Sequence, residues 1–527
     1  MAIKGFVGYW GNISNRLISD SFCNLYKDKI TNSVSLYGVN WGLTTTKDFV
    51  KKNDENSLEI SSNPDDHDFN INSKVIITKS LLSLERDRWG IRTIYYVKFK
   101  SGYYFSSDIR FLLILPIDHI KDYSTSSIQE ISSLGFIFNE ENTLFSLIKQ
   151  VPRNSCFEVS ENKSEIEKHT VSSNKTLYKS VDEAYKKFKN IFEDTVHNIN
   201  SLPGKKAYLL SGGMDSSALA IAASKFSSIE TISFSSANNE NDVFYAEKLS
   251  QYLGSKHTVV QFDENEGLLK LPNYFHDIEQ IEPEGVFSPL GGYAYYLLCQ
   301  SINKLNYSIV IPGEGADELL GGYYWPLTHP FGFVDKLKKI TQHSEIYSQV
   351  VGMFPEVEEK NIYSEIAYYF LQGSALTNYH LSCVEHTAKS CNLVNYPVFL
   401  TGNLHEIIKN IPLKWLCDGT TTKIILRKYL HKYLDNVCLS GLIDRPKMAM
   451  PSVITNEFSK KIFDLSKLES QKSNNPYREE LQNNPVNILM FDLFHKYYTS
   501  QPINSVLTEE WKEDLSKINR NERIIYW

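Results

Sequence analysis

Leu210-Ser211-Gly212-Gly213-Met214-Asp215-Ser216-Ser217 is the stretch on which the reading of this chain turns. Before it, Lys205 to Leu210 is a short apolar run that reads as a buried strand; after it, Ser216 to Phe226 reads as a helix. Strand, glycine turn and helix together open a βα unit. Outward from there, Glu230 to Ser235 reads as a strand, Val243 to Leu253 as a helix and His257 to Phe262 as another strand. Tyr307 to Ile311 gives a fourth strand, and directly behind it comes a second glycine turn, Gly313-Glu314-Gly315-Ala316-Asp317-Glu318. Strands alternating with helices imply a parallel sheet covered on both faces. Ligands of such sheets bind beyond the carboxyl ends of the strands, where both glycine turns fall. After Trp325 the pattern is largely helical, with Ile424, Ile425, Tyr429 and Tyr433 at near-helical spacing within Thr421 to Leu434.

The first third is organised differently. Gly5 to Trp10, Lys74 to Thr78, Arg92 to Phe99 and Gly102 to Ser106 are rich in Val, Ile, Tyr and Phe and read as short strands. Between them, Lys47 to Asn72 is polar and is expected to be a surface loop. A second polar stretch at 161–176 marks the expected boundary between a domain at 1–170 and one at 177–527. A chain of 527 residues suits two such domains.

Composition excludes several classes. A net charge of −7, with charges well mixed, argues against a nucleic-acid partner. The seven cysteines (Cys23, Cys156, Cys299, Cys383, Cys391, Cys417, Cys438) show no paired spacing, which suggests reduced thiols without disulfides or zinc. Cys383 and Cys391 read as buried hydrophobes rather than nucleophiles. The first residues lack the charged and apolar regions of a signal peptide, and no apolar run approaches membrane-spanning length. A cytoplasmic protein is expected.

The chemistry of the two turns is complementary. Gly212 and Gly213 let the backbone approach a phosphate, Ser211, Ser216 and Ser217 add hydroxyl donors, and the following helix directs its positive end at the anion. Asp215 would repel a phosphate unless a cation intervened, so its position implies Mg²⁺. No lysine follows the second glycine, which excludes the P-loop of kinases and GTPases. Glu314, Asp317 and Glu318 are crowded enough to need a cation too, and Asp317 is the candidate second metal ligand.

At these residues the chain resembles a known family. Ser211 to Ser217 matches the pyrophosphate loop of the asparagine synthetase B family, and Ile311 to Tyr323 matches its second signature. Asn241 to His257 is similar to the helix and turn after its adenine-contacting strand, and Arg445-Pro446-Lys447 resembles the segment that carries a lysine onto the acyl-adenylate and pyrophosphate. The resemblance implies a PP-loop ATP pyrophosphatase-like synthetase domain with a helical C-terminal part, using ATP and Mg²⁺ to adenylate a carboxylate. It places Leu209, Leu210, Phe234 and Gly313 around the nucleotide, Lys447 and Arg445 on the reacting groups, and Glu314 near the incoming amine. The first domain resembles the family's N-terminal-nucleophile (class II) glutaminase, an αββα-type fold, through Gly5 to Tyr9, Glu85 to Arg92 and Phe105 to Ile109. That glutaminase requires a cysteine at its N-terminus, and here the first cysteine is Cys23, so a degenerate domain is expected.

Relatives with such a domain, the β-lactam synthetases and the lasso peptide cyclases, take their amine from the substrate. Ser390 to Thr401 aligns with a recognition stretch of asparagine synthetases, with Val394 for a glutamate, Tyr396 for an arginine and Thr401 for an aspartate. The glutamate–tyrosine pair of β-lactam-forming enzymes is lost as well, since Glu314 stands at the tyrosine position. The resemblance therefore points to a lasso peptide cyclase, with a precursor-binding protein and a leader peptidase as implied partners. The aromatic group Tyr323, Tyr324, Trp325, Tyr368, Tyr369 and Phe370 is a candidate peptide pocket, though ordinary core packing also accounts for it. The alternative is an ammonia- or amine-dependent asparagine synthetase-like amidotransferase of secondary metabolism or surface-sugar biosynthesis.

Overall fold

The computed structural model describes residues 6–11, 33–38, 41–46, 50–52, 57–61, 72–160, 163–169, 178–236, 239–278, 291–323, 329–342, 344–354, 366–435, 439, 441–444, 454–499, 511–512 and 515. The chain divides into two compact units, the first built from residues 1–131, 136–174 and 374–385 and the second from 132–135, 175–373 and 386–527.

The first unit holds two six-stranded antiparallel sheets. One runs β10-β8-β9-β1-β3-β2, from β1 (Phe6–Trp10), β2 (Ser33–Gly38), β3 (Trp41–Thr46), β8 (Tyr95–Phe99), β9 (Gly102–Ser106) and β10 (Lys149–Gln150). The other runs β12-β11-β7-β6-β5-β4, from β4 (Val50–Lys52), β5 (Ser57–Ser61), β6 (Lys74–Thr78), β7 (Leu81–Arg86), β11 (Ser155–Ser160) and β12 (Ser164–Lys168). Alternation builds the core. Leu58 and Ile60 on β5, with Val75 and Ile77 on β6, are buried in one apolar cluster with Phe6 and Phe105 of the other sheet. Tyr96 on β8 stacks on Phe157 of β11 with ring centres 4.2 Å apart.

Two expectations are corrected here. The polar stretch Lys47 to Asn72 contains β4 and β5, and Leu58 and Ile60 carry a period-2 signal diluted by Ser and Glu neighbours. The second polar stretch contains β12, an edge strand whose exposed, charged side chains conceal its pairing with β11. The motif Glu85 to Arg92 has a structural role. The Asp87 carboxylate accepts the backbone N–H groups of Trp89, Ile91 and Arg92 at 3.0, 3.0 and 2.7 Å. Buried Arg86 donates to the carbonyls of Val151 and Gly90 at 2.9 and 2.6 Å.

The second unit contains the expected parallel sheet, five-stranded, in the order β15-β14-β13-β16-β17. Its strands are β13 (Lys206–Leu209), β14 (Glu230–Ser235), β15 (Lys256–Gln261), β16 (Ile309–Ile311) and β17 (Val394–Asn395). The last of these was not foreseen; it lies in the Ser390 to Thr401 segment, with Ile309 paired to Val394. The order reverses at β13, which has β14 on one side and β16 on the other, so the crevice for a ligand opens between the ends of β13 and β16.

Helices Met214–Ser224 and Glu240–Leu253 follow the first two strands of the sheet, replacing the expected starts at 216 and 243. The first of them is buried from Ser216 to Ala223, and its alanines let it lie close between the sheet and its neighbours. Helix Val181–Ser201, capped by the Ser180 hydroxyl on Glu183 N–H, buries Ala184, Phe188, Phe192 and Val196 on one face. Its Phe192 stacks on Phe399 at 5.3 Å and meets Tyr429 edge-on at 5.5 Å. Helix Ile424–Leu434, expected from 421, completes this group and begins beside the crevice.

Candidate functional site

The loop between β13 and helix Met214–Ser224 is stitched to itself. Ser216 Oγ accepts from Ser211 N–H at 3.2 Å and donates to the Gly213 carbonyl at 3.1 Å, while Gly213 N–H donates to Ser211 Oγ at 3.3 Å. Gly212 has φ +70°, and a Cβ there would lie 2.2 Å from the Asp242 carbonyl, so only glycine fits the turn. Gly213 caps the helix without a side chain, and Ser217 Oγ is buried with no hydrogen-bond partner among the described residues. The result is a short run of backbone N–H groups at a helix N-terminus, an anion cradle.

Neighbouring strands hold the cradle in place. Leu210 N–H donates to Ile232 O at 2.8 Å, and its own carbonyl accepts Ser233 Oγ at 2.5 Å. Ser233 bonds His257 Nε2 at 3.1 Å, whose Nδ1 bonds Thr231 Oγ1 at 2.8 Å. The Phe234 carbonyl is taken by Asn239 Nδ2 at 2.8 Å, which fixes the end of β14 where the nucleotide was expected.

The second turn meets the first. A Cβ on Gly313 would lie 3.1 Å from Asp215 Cβ, which places the two glycine turns in contact. Gly315, at φ +86°, starts the short helix Ala316–Leu320 that carries Asp317 and Glu318. Burial raises the Glu318 carboxyl above the usual carboxylate range, against the lowering pull of the Tyr323 hydroxyl, which donates to it at 2.7 Å, and of Lys423. Glu314 is half-buried in the same turn.

The structure also places a residue at the site that the sequence reading missed. Lys423 Nζ lies 2.6 Å from both oxygens of Asp215 and 2.8 Å from Asp317 Oδ1, with only 2 % of its side chain exposed. Its backbone is left-handed, φ 53°, a conformation uncommon for lysine. A Cβ on Gly322 would overlap both partners, at 2.0 Å from Asp317 Oδ1 and 2.2 Å from Lys423 Cε, so that glycine makes room for the pair. A sequence signal did exist. Lys423 precedes the helix Ile424–Leu434, where the helix dipole disfavours a cation and an acid or hydroxyl cap is the norm.

That helix lies beside Met214–Ser224 and is clamped to it a second time. Lys225, just past the end of Met214–Ser224, bonds the Tyr429 and Tyr433 hydroxyls at 2.9 and 2.7 Å. Arg445 and Lys447 lie outside the described residues, as do Tyr324 and Trp325, and the side chains of Tyr368, Tyr369 and Phe370 are likewise not described. Cys383 and Cys391 are buried, as expected of packing residues.

Asp215 and Asp317 thus point at one position that already holds a compact cation, so their donor set fits a hard oxygen-seeking metal such as Mg²⁺. Among the described residues no three His, Cys, Asp or Glu side chains converge as a metal set. No described helix is long and apolar enough to cross a membrane.

A glycine-lined anion cradle beside paired carboxylates, at the switch point of a parallel sheet, defines a nucleotide-binding α/β protein. The asparagine synthase family profile matches residues 187–511. The chain belongs to the asparagine synthase family. Asparagine synthetase [glutamine-hydrolyzing] 3 of Bacillus subtilis is 25% identical over 271 residues, 47% of this chain and 42% of that protein. The Rattus norvegicus asparagine synthetase [glutamine-hydrolyzing] is 32% identical over 124 residues, 22% of each chain. The matches span between 22% and 52% of the length of curated relatives such as these. A solved NMN synthetase from Francisella tularensis is similar at 15% identity and TM-score 0.21, covering 51% of this chain and 99% of that one.

Proposed function

We propose that the protein is an ATP-dependent carbon–nitrogen ligase that activates a carboxylate as its adenylate, releases pyrophosphate, and joins the acyl group to an amine not drawn from glutamine. Contact between the Gly212–Asp215 loop and the Gly313 turn, with Asp215 and Asp317 converging on one point, is the observation that carries this reading. The family match supports the reaction class.

In this reading the N–H groups near Gly212 and Gly213 hold the departing pyrophosphate, and Leu209, Leu210, Phe234 and Gly313 frame the adenosine. Asp215 and Asp317 would hold Mg²⁺, which when bound neutralises charge on the leaving phosphates. The acyl carbon transfers from the phosphate oxygen to the amine nitrogen, with AMP leaving and one proton released. Glu314 is the candidate acceptor for that proton, and Lys447 with Arg445 stabilises the tetrahedral intermediate.

The substrate we propose is a peptide whose N-terminal amine captures its own activated Asp or Glu side chain, closing a macrolactam as lasso peptide cyclases do. Val394, Tyr396 and Thr401 support this. The segment that resembles the aspartate-recognition stretch forms β17 and a buried turn here, with Tyr396 and Thr401 2% and 0% exposed. Holding both ends of one chain in reactive geometry gains on the order of 7–11 kcal/mol. Glu314, kept from the asparagine synthetases, favours the second reading, an ammonia- or amine-dependent amidotransferase. A precursor-binding protein and a leader peptidase would act beside a cyclase.

Purified protein given ATP, Mg²⁺ and a linear core peptide is expected to form AMP and a peptide lighter by one water, and Asp215→Ala is expected to abolish both. Turnover only with ammonia and a small acid would select the second reading. Formation of ADP and inorganic phosphate would overturn both.

A further inference from the structure

Lys423 stands where a metal held by Asp215 and Asp317 would stand. Its ammonium has three N–H donors, and it faces three carboxylate oxygens: both of Asp215 at 2.6 Å and Oδ1 of Asp317 at 2.8 Å. Magnesium is held about 2.0–2.1 Å from its oxygens, so a metal on these same atoms would occupy the position of the ammonium. The two cations cannot share it. Nor is the lysine there by accident of a flexible stem. Its side chain is 2 % exposed, its backbone is left-handed, and Gly322 is bare where its Cε passes. Strained backbone of this kind persists where the surroundings over-determine it, and it clusters at functional sites.

A metal alone has little to offer in exchange. Among the described residues the protein contributes two converging carboxylates with no third His, Cys, Asp or Glu beside them, while Mg²⁺ requires six oxygens and sheds water reluctantly. The ammonium, expelled by a bare metal, would lose all three carboxylate oxygens while its side chain is still buried. A polyphosphate changes this balance. Seated on the N–H groups beside Gly213, it would bring oxygens to the metal and acceptors to the lysine within the same cleft.

We propose that Lys423 is a resident counter-cation that keeps free divalent metal out of the Asp215–Asp317 position, so that metal enters only together with a polyphosphate to which the ammonium transfers its hydrogen bonds. This rests on the reading of those two aspartates as the metal ligands. The device keeps both carboxylates aimed and neutralised before nucleotide arrives, and it orders binding so that metal and nucleotide load as one.

Mn²⁺ is the probe, followed by electron paramagnetic resonance and water-proton relaxation on the full chain. In the wild type, Mn²⁺ alone is expected to show no saturable site that depends on Asp215, and Mn²⁺ with α,β-methylene ATP is expected to give one bound ion. Lys423→Met is expected to bind Mn²⁺ alone at least about tenfold more tightly than wild type, within the usual range of coupling between sites. A Mn²⁺ site in the wild-type protein without nucleotide, lost in Asp215→Asn, overturns the proposal even if Lys423→Met does not fold. If the wild type retains no Mn²⁺ with the nucleotide analogue either, the ligand assignment itself fails, and this inference with it.

Discussion

At the scale of single residues, the site is a problem of charge and space. Half-buried Asp215 lies beside buried Asp317, and Lys423 makes this crowding tolerable by meeting three of their oxygens. The arrangement depends on a missing atom as much as on the charges. Gly322 adopts no positive φ that would demand glycine, yet a Cβ there would overlap Asp317 Oδ1 and Lys423 Cε. Gly322→Ala must therefore push the lysine, the carboxylate or both from their places. Displacements of about 1 Å can cost on the order of 10²-fold in rate, so AMP formation by Gly322→Ala is expected to fall by roughly that factor. Circular dichroism should show the fold retained. A variant with wild-type turnover would refute the importance given to this contact. The glycines and aspartates of the two turns were legible in sequence because their types are rare together. Lys423 was not, since its partners lie 208 and 106 residues away and only the fold brings them together.

Elements carry the site through the way strands hand hydrogen bonds to one another. Edge strand β15 presents His257, which bonds Thr231 and Ser233 of β14, and Ser233 in turn holds the Leu210 carbonyl at the mouth of the loop. Burial lowers the His257 pKa below its ordinary value near 6.5, against a raising influence from Glu247. A histidine depressed in the folded state binds fewer protons there than in the unfolded chain. Its contribution to stability is thus present above about pH 6.5 and is lost as pH falls through the folded value. His257→Gln keeps hydrogen-bonding capacity without a titrating ring. Its denaturation midpoint is expected to decline less than that of wild type between neutral and mildly acidic pH, and parallel declines would contradict this account. The strands of this sheet were legible because each is a compact apolar run. Strand β17 was not, because two residues carry no periodicity, and its pairing with β16 is a long-range choice made by the sheet. Strands β5 and β12 escaped for the opposite reason: Ser, Glu and Lys on their outer faces mimic loop composition.

At the scale of the whole molecule, the question is what the first unit contributes to the reaction. Its two sheets enclose an apolar core. A glutaminase of the N-terminal-nucleophile type needs an activated thiolate. The described cysteines of this unit, Cys156 and Cys383, are both buried. Burial pushes the Cys156 thiol up to about 11, against the lowering effect of its Ser83 hydrogen bond, so at neutral pH it is protonated and a poor nucleophile. Motifs that resemble the glutaminase, such as Glu85 to Arg92, are spent on backbone hydrogen bonds that close a turn. These observations favour an amine that reaches the second unit as part of a substrate. Glutamine carrying ¹⁵N in its side-chain amide, supplied with ATP and the acid substrate, is accordingly expected to leave no label in the new amide and to release no glutamate. The same label placed on the amine of the linear peptide should be retained in full in the product. Label arriving from glutamine would mean that a thiol outside the described residues is active, and the proposed source of nitrogen would have to be abandoned.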